Sequence, residues 1–446
     1  MDVIRTVSAA LQESLGEELD QLARDCKVVQ RERLFTGRTL LLMIVATLLR
    51  KPDATWADFH LTAAQLGLDL SQTAVEKRFA AGQPLVDFFR NALERALKKA
   101  ITADEPARAS LFRQFTAILI GDASTVALPD GLAGLFEGCG GSEGASRAAL
   151  KLQVLWDLKA GELVQLRVEP GKASDTKSPI AQVPAQPGQL LVFDLGYFDL
   201  DRLAAVDASE GKFISRLLFG TAVFDERGEP LDLAGHLRRQ PTGLLDQVIL
   251  LGAAARLCSR LVAVRAPQEA ASRRRQVARE KAAKKGRTPT AAYLELLGWS
   301  LFVTNCSQEE LTWKGVVVLY RARWQIELLF KLWKSHNRLA AHREGASALE
   351  VLAVLYAKLL GVVLQHWILV ATAWQLAGRS LTRAARALAE EVKKILLALG
   401  DDAALEAALL RLRDVIEKLG GTTDRKKQPS HAQLIEDPDL LDWLCP

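Results

Sequence analysis

Two short apolar runs, Ile118-Leu119-Ile120-Gly121 and Leu190-Leu191-Val192-Phe193, each stop on an aspartate, Asp122 and Asp194. A brief continuous apolar run reads as a strand buried on both faces, and such strands require helices over the sheet. The two carboxylates would then stand at the rim of that sheet, on a rigid base, where strand ends lie side by side. Further strand-like segments run from Leu150 to Leu158 and from Glu162 to Val168, and Lys159-Ala160-Gly161 between them suits a hairpin. Short strands followed by long helical segments predict an α/β fold, a mixed sheet covered by helices.

The flanks read as helical. Leu40 to Leu49 is apolar enough for core. Ala57 to Leu66, Gly67 and Ser71 outline two helices joined by a turn, which fits either a helix-turn-helix or an ordinary helical hairpin. Leu349 to Trp374 is strongly apolar, but Lys358, Gln365 and His366 interrupt it, so it is expected to be a buried core helix rather than a membrane span. Ser380 to Leu399 and Ala403 to Leu419, joined at Gly400-Asp401-Asp402, form an amphipathic pair suited to packing or self-association. The organisation expected is a helical domain over 1–110, a mixed α/β domain over 111–375 and a helical domain over 376–446. The 133 residues between Asp194 and Glu327 exceed what one crossover needs, which predicts an inserted subdomain at about 217–294.

With 446 residues, 49% of them hydrophobic, the chain can build two or three cores. Its net charge of +5 is mild, so a nucleic-acid surface has to come from clustering. The densest cluster is Arg273, Arg274, Arg275, Arg279, Lys281, Lys284, Lys285 and Arg287, opposed within that stretch by Glu280 alone. Its density favours contact with a phosphate backbone over a merely solvated face. Cys26, Cys139, Cys258, Cys306 and Cys445 are scattered without zinc-ligand spacing, which disfavours a disulfide framework and a structural zinc site and suits a reducing cytosol. The first residues carry no basic-then-apolar leader, so no secretory signal is expected.

The segment from Tyr320 to Lys334 has no helix breaker. At about 100 degrees per residue, Tyr320, Arg323, Trp324, Glu327, Lys331, Lys334 and Arg338 fall on one stripe, with Leu319, Ile326, Leu329, Phe330 and Trp333 opposite. A lone carboxylate among cations and aromatics would be repelled by nucleic acid. A divalent ion reverses that sign, and Asp122 and Asp194 are the further oxygen ligands such an ion needs.

At fixed spacing Tyr320, Arg323, Glu327 and Lys334 reproduce the pattern Tyr-x2-Arg-x3-Glu-x6-Lys. In this the chain resembles a large family of bacterial insertion-sequence transposases of the three-carboxylate (DDE), hairpin-forming type. Asp122-Ala123-Ser124-Thr125 resembles the family's first aspartate motif and Asp194-Leu195-Gly196-Tyr197-Phe198 its second, so the likeness runs from about Ala117 to Lys334. It implies a ribonuclease-H-like core interrupted, before the last acidic residue, by a mostly β insertion. It implies two Mg²⁺ or Mn²⁺ ions on Asp122, Asp194 and Glu327, with strand cleavage, hairpin formation and strand transfer as the chemistry. Tyr320, Arg323 and Lys334 would contact phosphates at the hairpin bend, Trp299 and Trp324 would stack on an extruded base, with core packing beside Leu297 and Leu301 the other reading of Trp299, and Lys331 would extend the basic stripe. The implied partners are double-stranded DNA, as terminal inverted repeats and target, and a second copy of the chain in the DNA complex. The implied location is the bacterial cytoplasm, at the nucleoid. Many members carry Arg where this chain has Leu195. A nuclease of the same superfamily and a domesticated, non-cleaving DNA-binding protein are the rival readings.

Overall fold

Ile118 and Ile120 enter one core and Leu119 a second; Leu190 and Val192 share the first, Leu191 and Phe193 the second. That period of two is what a strand buried on both faces produces. It organises the whole computed structural model, which describes residues 2–30, 35–104, 109–140, 146–374, 380–419, 429 and 431–444.

One nine-stranded sheet runs through the molecule. Its strands are β1 (Ile118–Leu128), β2 (Ala148–Asp157), β3 (Leu163–Pro170), β4 (Leu190–Phe193), β5 (Lys212–Arg216), β6 (Val223–Phe224), β7 (Leu244–Leu251), β8 (Leu257–Arg265) and β9 (Trp299–Thr304). Their spatial order is β3-β2-β1-β4-β5-β9-β8-β7-β6. β1 to β3 are antiparallel, β4 and β5 run parallel to β1, and pairing is antiparallel from β5 through β9, β8, β7 and β6. The hairpin at Lys159-Ala160-Gly161 joins β2 to β3. Gly161 has φ 79° there, and a Cβ on it would lie 2.7 Å from the Trp374 indole, so both conformation and space call for glycine. Asp122, expected at a strand end, sits inside β1, which continues to Leu128; what stops beside Asp122 is the parallel pairing with β4, whose last partners are Gly121 and Phe193. Residues 217–294 supply β6, β7 and β8, which continue the same sheet.

The helices, in chain order, are α1 (Val3–Ser14), α2 (Glu18–Asp25), α3 (Gly37–Arg50), α4 (Trp56–Gln65), α5 (Gln72–Phe79), α6 (Gln83–Ala96), α7 (Leu200–Ala208), α8 (Leu233–Arg238), α9 (Gln268–Ala283) and α10 (Ala291–Leu296). After β9 come α11 (Trp313–Ala322), α12 (Trp324–Lys331), α13 (Ala348–Ala373), α14 (Leu381–Leu397), α15 (Asp402–Lys418) and α16 (His431–Glu436). The two-helix unit expected around Gly67 is α4 and α5: Gly67 turns at φ 76°, the Ser71 hydroxyl accepts from Ala74 N–H, and the Trp56, Phe59 and Phe79 rings pack together. The expected 375/376 boundary and Cys445 lie outside the described residues.

α13 is long and apolar enough to cross a membrane by length and composition, yet 83% of that window is buried inside the protein. Of its buried polar residues, Lys358 and His366 tie it to neighbouring segments, while Gln365 Oε1 has no hydrogen-bond partner among the described residues. Lys358 Nζ donates to the carbonyls of Arg338 (2.9 Å) and Ala341 (2.5 Å), the turn that follows α12. His366 Nε2 donates to Gly161 O at 2.6 Å and so ties the core helix to the β2–β3 hairpin. An unsatisfied buried polar group costs about 1 to 3 kcal/mol, which these bonds avoid.

Candidate active site

Asp122 shares parity with Ile118 and Ile120, and Asp194 with Leu190 and Val192. The register pairs Ile118 with Leu190 through Gly121 with Phe193, so one further step sets Asp122 beside Asp194 on adjacent parallel strands. Strands lie about 5 Å apart, and both side chains leave the sheet on the face that α11 and α12 cross. Gly121 makes this approach feasible. A Cβ there would lie 2.1 Å from Cε1 of Phe193, whose ring crosses Gly121 on the other face and is covered by Arg202 at 3.7 Å.

Glu327 arrives from α12. Leu319, Ile326, Leu329, Phe330 and Trp333 are all buried against the sheet side, as their spacing predicts. The helix is not continuous, however. α11 ends at Ala322, Arg323 caps both it and α12, and Leu332–His336 forms a π turn that carries Lys334. Arg338, expected on the stripe, instead takes φ 44° and pairs with Asp53.

Arg323 sits at the centre of the three carboxylates. Its Nη1 lies 2.8 Å from Asp122 Oδ2, its Nη2 2.7 Å from Glu327 Oε1, and its Nε 3.9 Å from Asp194 Oδ1. Asp194 also accepts from the Tyr320 hydroxyl at 3.2 Å, and Asp122 Oδ1 from Ala123 N–H at 2.8 Å. Burial pushes the Asp122 carboxyl up from 3.8 to about 6. Arg323 and the Ala123 N–H oppose the shift, while Asp194 and Glu327 add to it. Burial alone would lower Arg323, but Asp194, Asp122, Tyr320 and Glu327 outweigh it and hold the guanidinium charged. Both partners therefore shift upward, Asp122 chiefly through burial and Arg323 through the carboxylates and Tyr320 around it. Tyr320 is pushed up to about 12, first by burial and then by Asp194.

The Transposase DDE domain family matches residues 113–360, more than half of the chain. The chain belongs to the DDE transposase family. It is 30% identical to the transposase for insertion sequence element IS231F of Bacillus thuringiensis subsp. israelensis, over 72% of this chain and 70% of that one. It is 28% identical to the IS231E transposase of Bacillus thuringiensis subsp. finitimus, over 71% and 70%, and 26% identical to the IS1151 transposase of Clostridium perfringens, over 74% of each. Among solved structures, a piggyBac transposase synaptic complex with hairpin DNA aligns with 98% of this chain and 88% of that one, at 10% identity and a TM-score of 0.48, too distant to bear on function. The chain is thus an enzyme of the polynucleotidyl transferase and endonuclease class, in a family that generally uses divalent metal ions.

The donor set suits such ions, since hard divalent cations take carboxylate oxygens. Among the described residues no three acidic, His or Cys side chains are close enough to share an ion as they stand. At this site the Arg323 guanidinium separates them.

Beside the carboxylates the transposase has a cleft of about 620 Å³ whose lining includes Arg216, Arg265, Arg274, Arg321, Arg323, Phe302, Tyr320 and Trp324. Arg216 ends β5 and Arg265 ends β8. The two strands run parallel to β1 and β4, so these cations close the same rim that carries the two aspartates. Sequence reasoning missed both, although the rule that picked out Asp122 and Asp194 would have found them had it been applied to cations. Arg321 was missed because it lies off the stripe. Lys331 and Lys334 are exposed, and Trp324 is 58% exposed. Trp299, expected to stack on a base, is 3% exposed with Arg265 over its ring; alternation with Leu301 and Val303 puts it in the second core. Of the basic stretch, Arg273 is exposed on α9, while Arg274 donates to Trp299 O and Arg275 to Leu294 O, anchoring the helix to the protein.

Proposed function

We propose that this transposase binds the terminal inverted repeats of its own element, cuts the DNA there through a hairpin intermediate and joins the freed ends to target DNA. Asp122, Asp194 and Glu327 are the proposed catalytic residues and ligands of two Mg²⁺ or Mn²⁺ ions. The observation that carries this reading is the meeting of those three side chains, from β1, β4 and α12, around one guanidinium at the mouth of an arginine-lined cleft. Carboxylates this close are unfavourable without cations, and after burial Asp194 and Glu327 add to the upward shift of Asp122. Bound ions would activate a water or a 3′-hydroxyl and stabilise the leaving oxygen.

The order β3-β2-β1-β4-β5, with β1 to β3 antiparallel and β4 and β5 parallel to β1, supports a ribonuclease-H-like core. Residues of about 217–294 are its insertion, 1–110 a DNA-binding domain and 376–446 a module for pairing two copies on DNA. Tyr320, Arg323 and Lys334 hold phosphates at the hairpin bend, and Lys331 and Arg273 extend the track. Arg216, Arg265 and Arg321 join them from the cleft. Trp324 takes the stacking role, since its ring is open to solvent. The setting is the bacterial cytoplasm.

The test uses full-length protein, Mg²⁺, a labelled duplex carrying the repeats that flank the coding region, and a supercoiled target. Strand-transfer product is expected. Cleavage without joining would reassign the chain as a nuclease, and a shifted but intact duplex would leave only a binding protein.

A further inference from the structure

We infer that Arg323 is the resident cation of the carboxylate site, and that it must withdraw before divalent ions are held there, so that ion binding and phosphate binding each promote the other. The inference rests on the reading that Asp122, Asp194 and Glu327 hold the ions.

The guanidinium occupies the oxygens an ion would need. Asp122 Oδ2 and Glu327 Oε1 each accept a hydrogen bond from it, at 2.8 and 2.7 Å, and Asp122 Oδ1 is taken by Ala123 N–H. An ion bonded to these oxygens at about 2.0 to 2.6 Å cannot coexist with a guanidinium in the same place. Arg323 is also incompletely satisfied where it stands: its Nε is buried without a hydrogen-bond partner, 3.9 Å from Asp194. It is held by charge more than by fit.

A second position for it is at hand. Arg323 also lines the arginine cleft, where Arg216, Arg265 and Arg321 offer cations to an anion but no carboxylate beyond the site itself. A DNA phosphate entering that cleft gives the guanidinium a partner of the geometry arginine prefers. Its backbone keeps helical angles where α11 meets α12, φ −51° and ψ −31°, so the move asks only for side-chain torsions. Withdrawal leaves three carboxylates without a counter-ion, which is the arrangement that most favours divalent ions. Linkage then requires reciprocity: whatever factor DNA adds to ion affinity, ions add to DNA affinity. Without DNA the arginine keeps the site poorly loaded, a safeguard against unguided hydrolysis.

The test is Mn²⁺ binding to the full chain, read by the electron paramagnetic resonance signal of free Mn²⁺, with and without a 5′-phosphorylated duplex of arbitrary sequence. In wild type the duplex is expected to tighten Mn²⁺ by about tenfold or more, within the usual range of coupling. Arg323→Gln is expected to bind Mn²⁺ more tightly than wild type without DNA and to show no further gain with it. Its unfolding midpoint should rise with Mn²⁺ more than the wild-type midpoint does, and Arg323→Lys should fall between the two. Equal Mn²⁺ affinity in wild type and Arg323→Gln, or an undiminished response of the variant to DNA, overturns the inference. Adding Asp122→Asn and Glu327→Gln to Arg323→Gln separates the two claims. If that triple variant still binds Mn²⁺ as Arg323→Gln does, the carboxylates are not the ligands and the underlying reading fails instead.

Discussion

Asp122→Asn keeps the shape of the side chain and an oxygen for Arg323 while removing one of three negative charges. At neutral pH the fold holds Asp122 ionised although burial, partly offset by Arg323 and the Ala123 N–H, has raised its pKa from 3.8 to about 6. A gap of about two units corresponds to about 3 kcal/mol of folding free energy lost on ionisation. The side chain is 15% exposed, so solvent screening removes little of this. The bond to Arg323 is already counted, since it is part of what holds the shift at about 6 rather than higher. The variant should therefore be more stable than wild type by about 2 to 3 kcal/mol at pH 7.5. The sign follows from a folded pKa above the unfolded one: the penalty is absent below about pH 4, grows as pH rises toward 6 and is complete above it. Urea unfolding in EDTA, followed by tryptophan fluorescence from pH 4 to 7.5, measures the difference, which should close toward pH 4. A variant less stable than wild type by 1 kcal/mol or more at pH 7.5 would refute the argument.

Gly121→Ala drives a methyl into the Phe193 ring, at 2.1 Å with Arg202 behind it, and should lower stability by about 1 to 3 kcal/mol and slow cleavage, because the clash falls on the residues that precede Asp122 and Asp194 in the paired strands. An unchanged melting temperature would mean that Phe193 does not cover Gly121. Glu327→Gln should abolish cleavage of a labelled end duplex while retaining its gel shift; retained cutting would remove Glu327 from the chemistry. For Lys358, burial and then nearby Arg338, opposed by Asp53, pull the pKa down to about 7. The unfolded chain therefore holds that proton up to about pH 10.5, and stability should rise by up to a few kcal/mol between pH 7 and 10.5. Lys358→Met should erase that slope in urea titrations, and a slope that persists would assign it to other groups.

Where the three carboxylates of the candidate site stand could largely be read from residues alone, for physical reasons. Apolar runs ending on Asp122 and Asp194 announced buried strands, and the strand period then decided which face each aspartate takes. Glu327 followed from a helix whose apolar positions left one stripe for chemistry. Extrapolating that helix as straight failed beyond Lys331: the π turn at Leu332–His336 is not marked by proline or glycine, and Arg338 leaves the stripe. Nor could β6, two residues long, be foreseen as the sheet's edge, since its pairing with β7 is set by tertiary contact. Trp299 had two readings, stacking and core packing, and its alternation with Leu301 and Val303 in the second core favours packing. The position of Arg323 among the carboxylates needed the fold, because the three acids come from elements far apart in the chain.

Iron-directed cleavage of the polypeptide tests the central claim most directly. Fe²⁺ is exchanged into the full-length transposase with a 5′-phosphorylated duplex present, radicals are generated with ascorbate and peroxide, and the fragments are mapped. Backbone cuts should cluster beside residues 122, 194 and 327 together, and all three clusters should vanish when excess Mg²⁺ competes. Cuts beside only one of them, or a pattern unaltered in Asp122→Asn, would contradict a shared ion site.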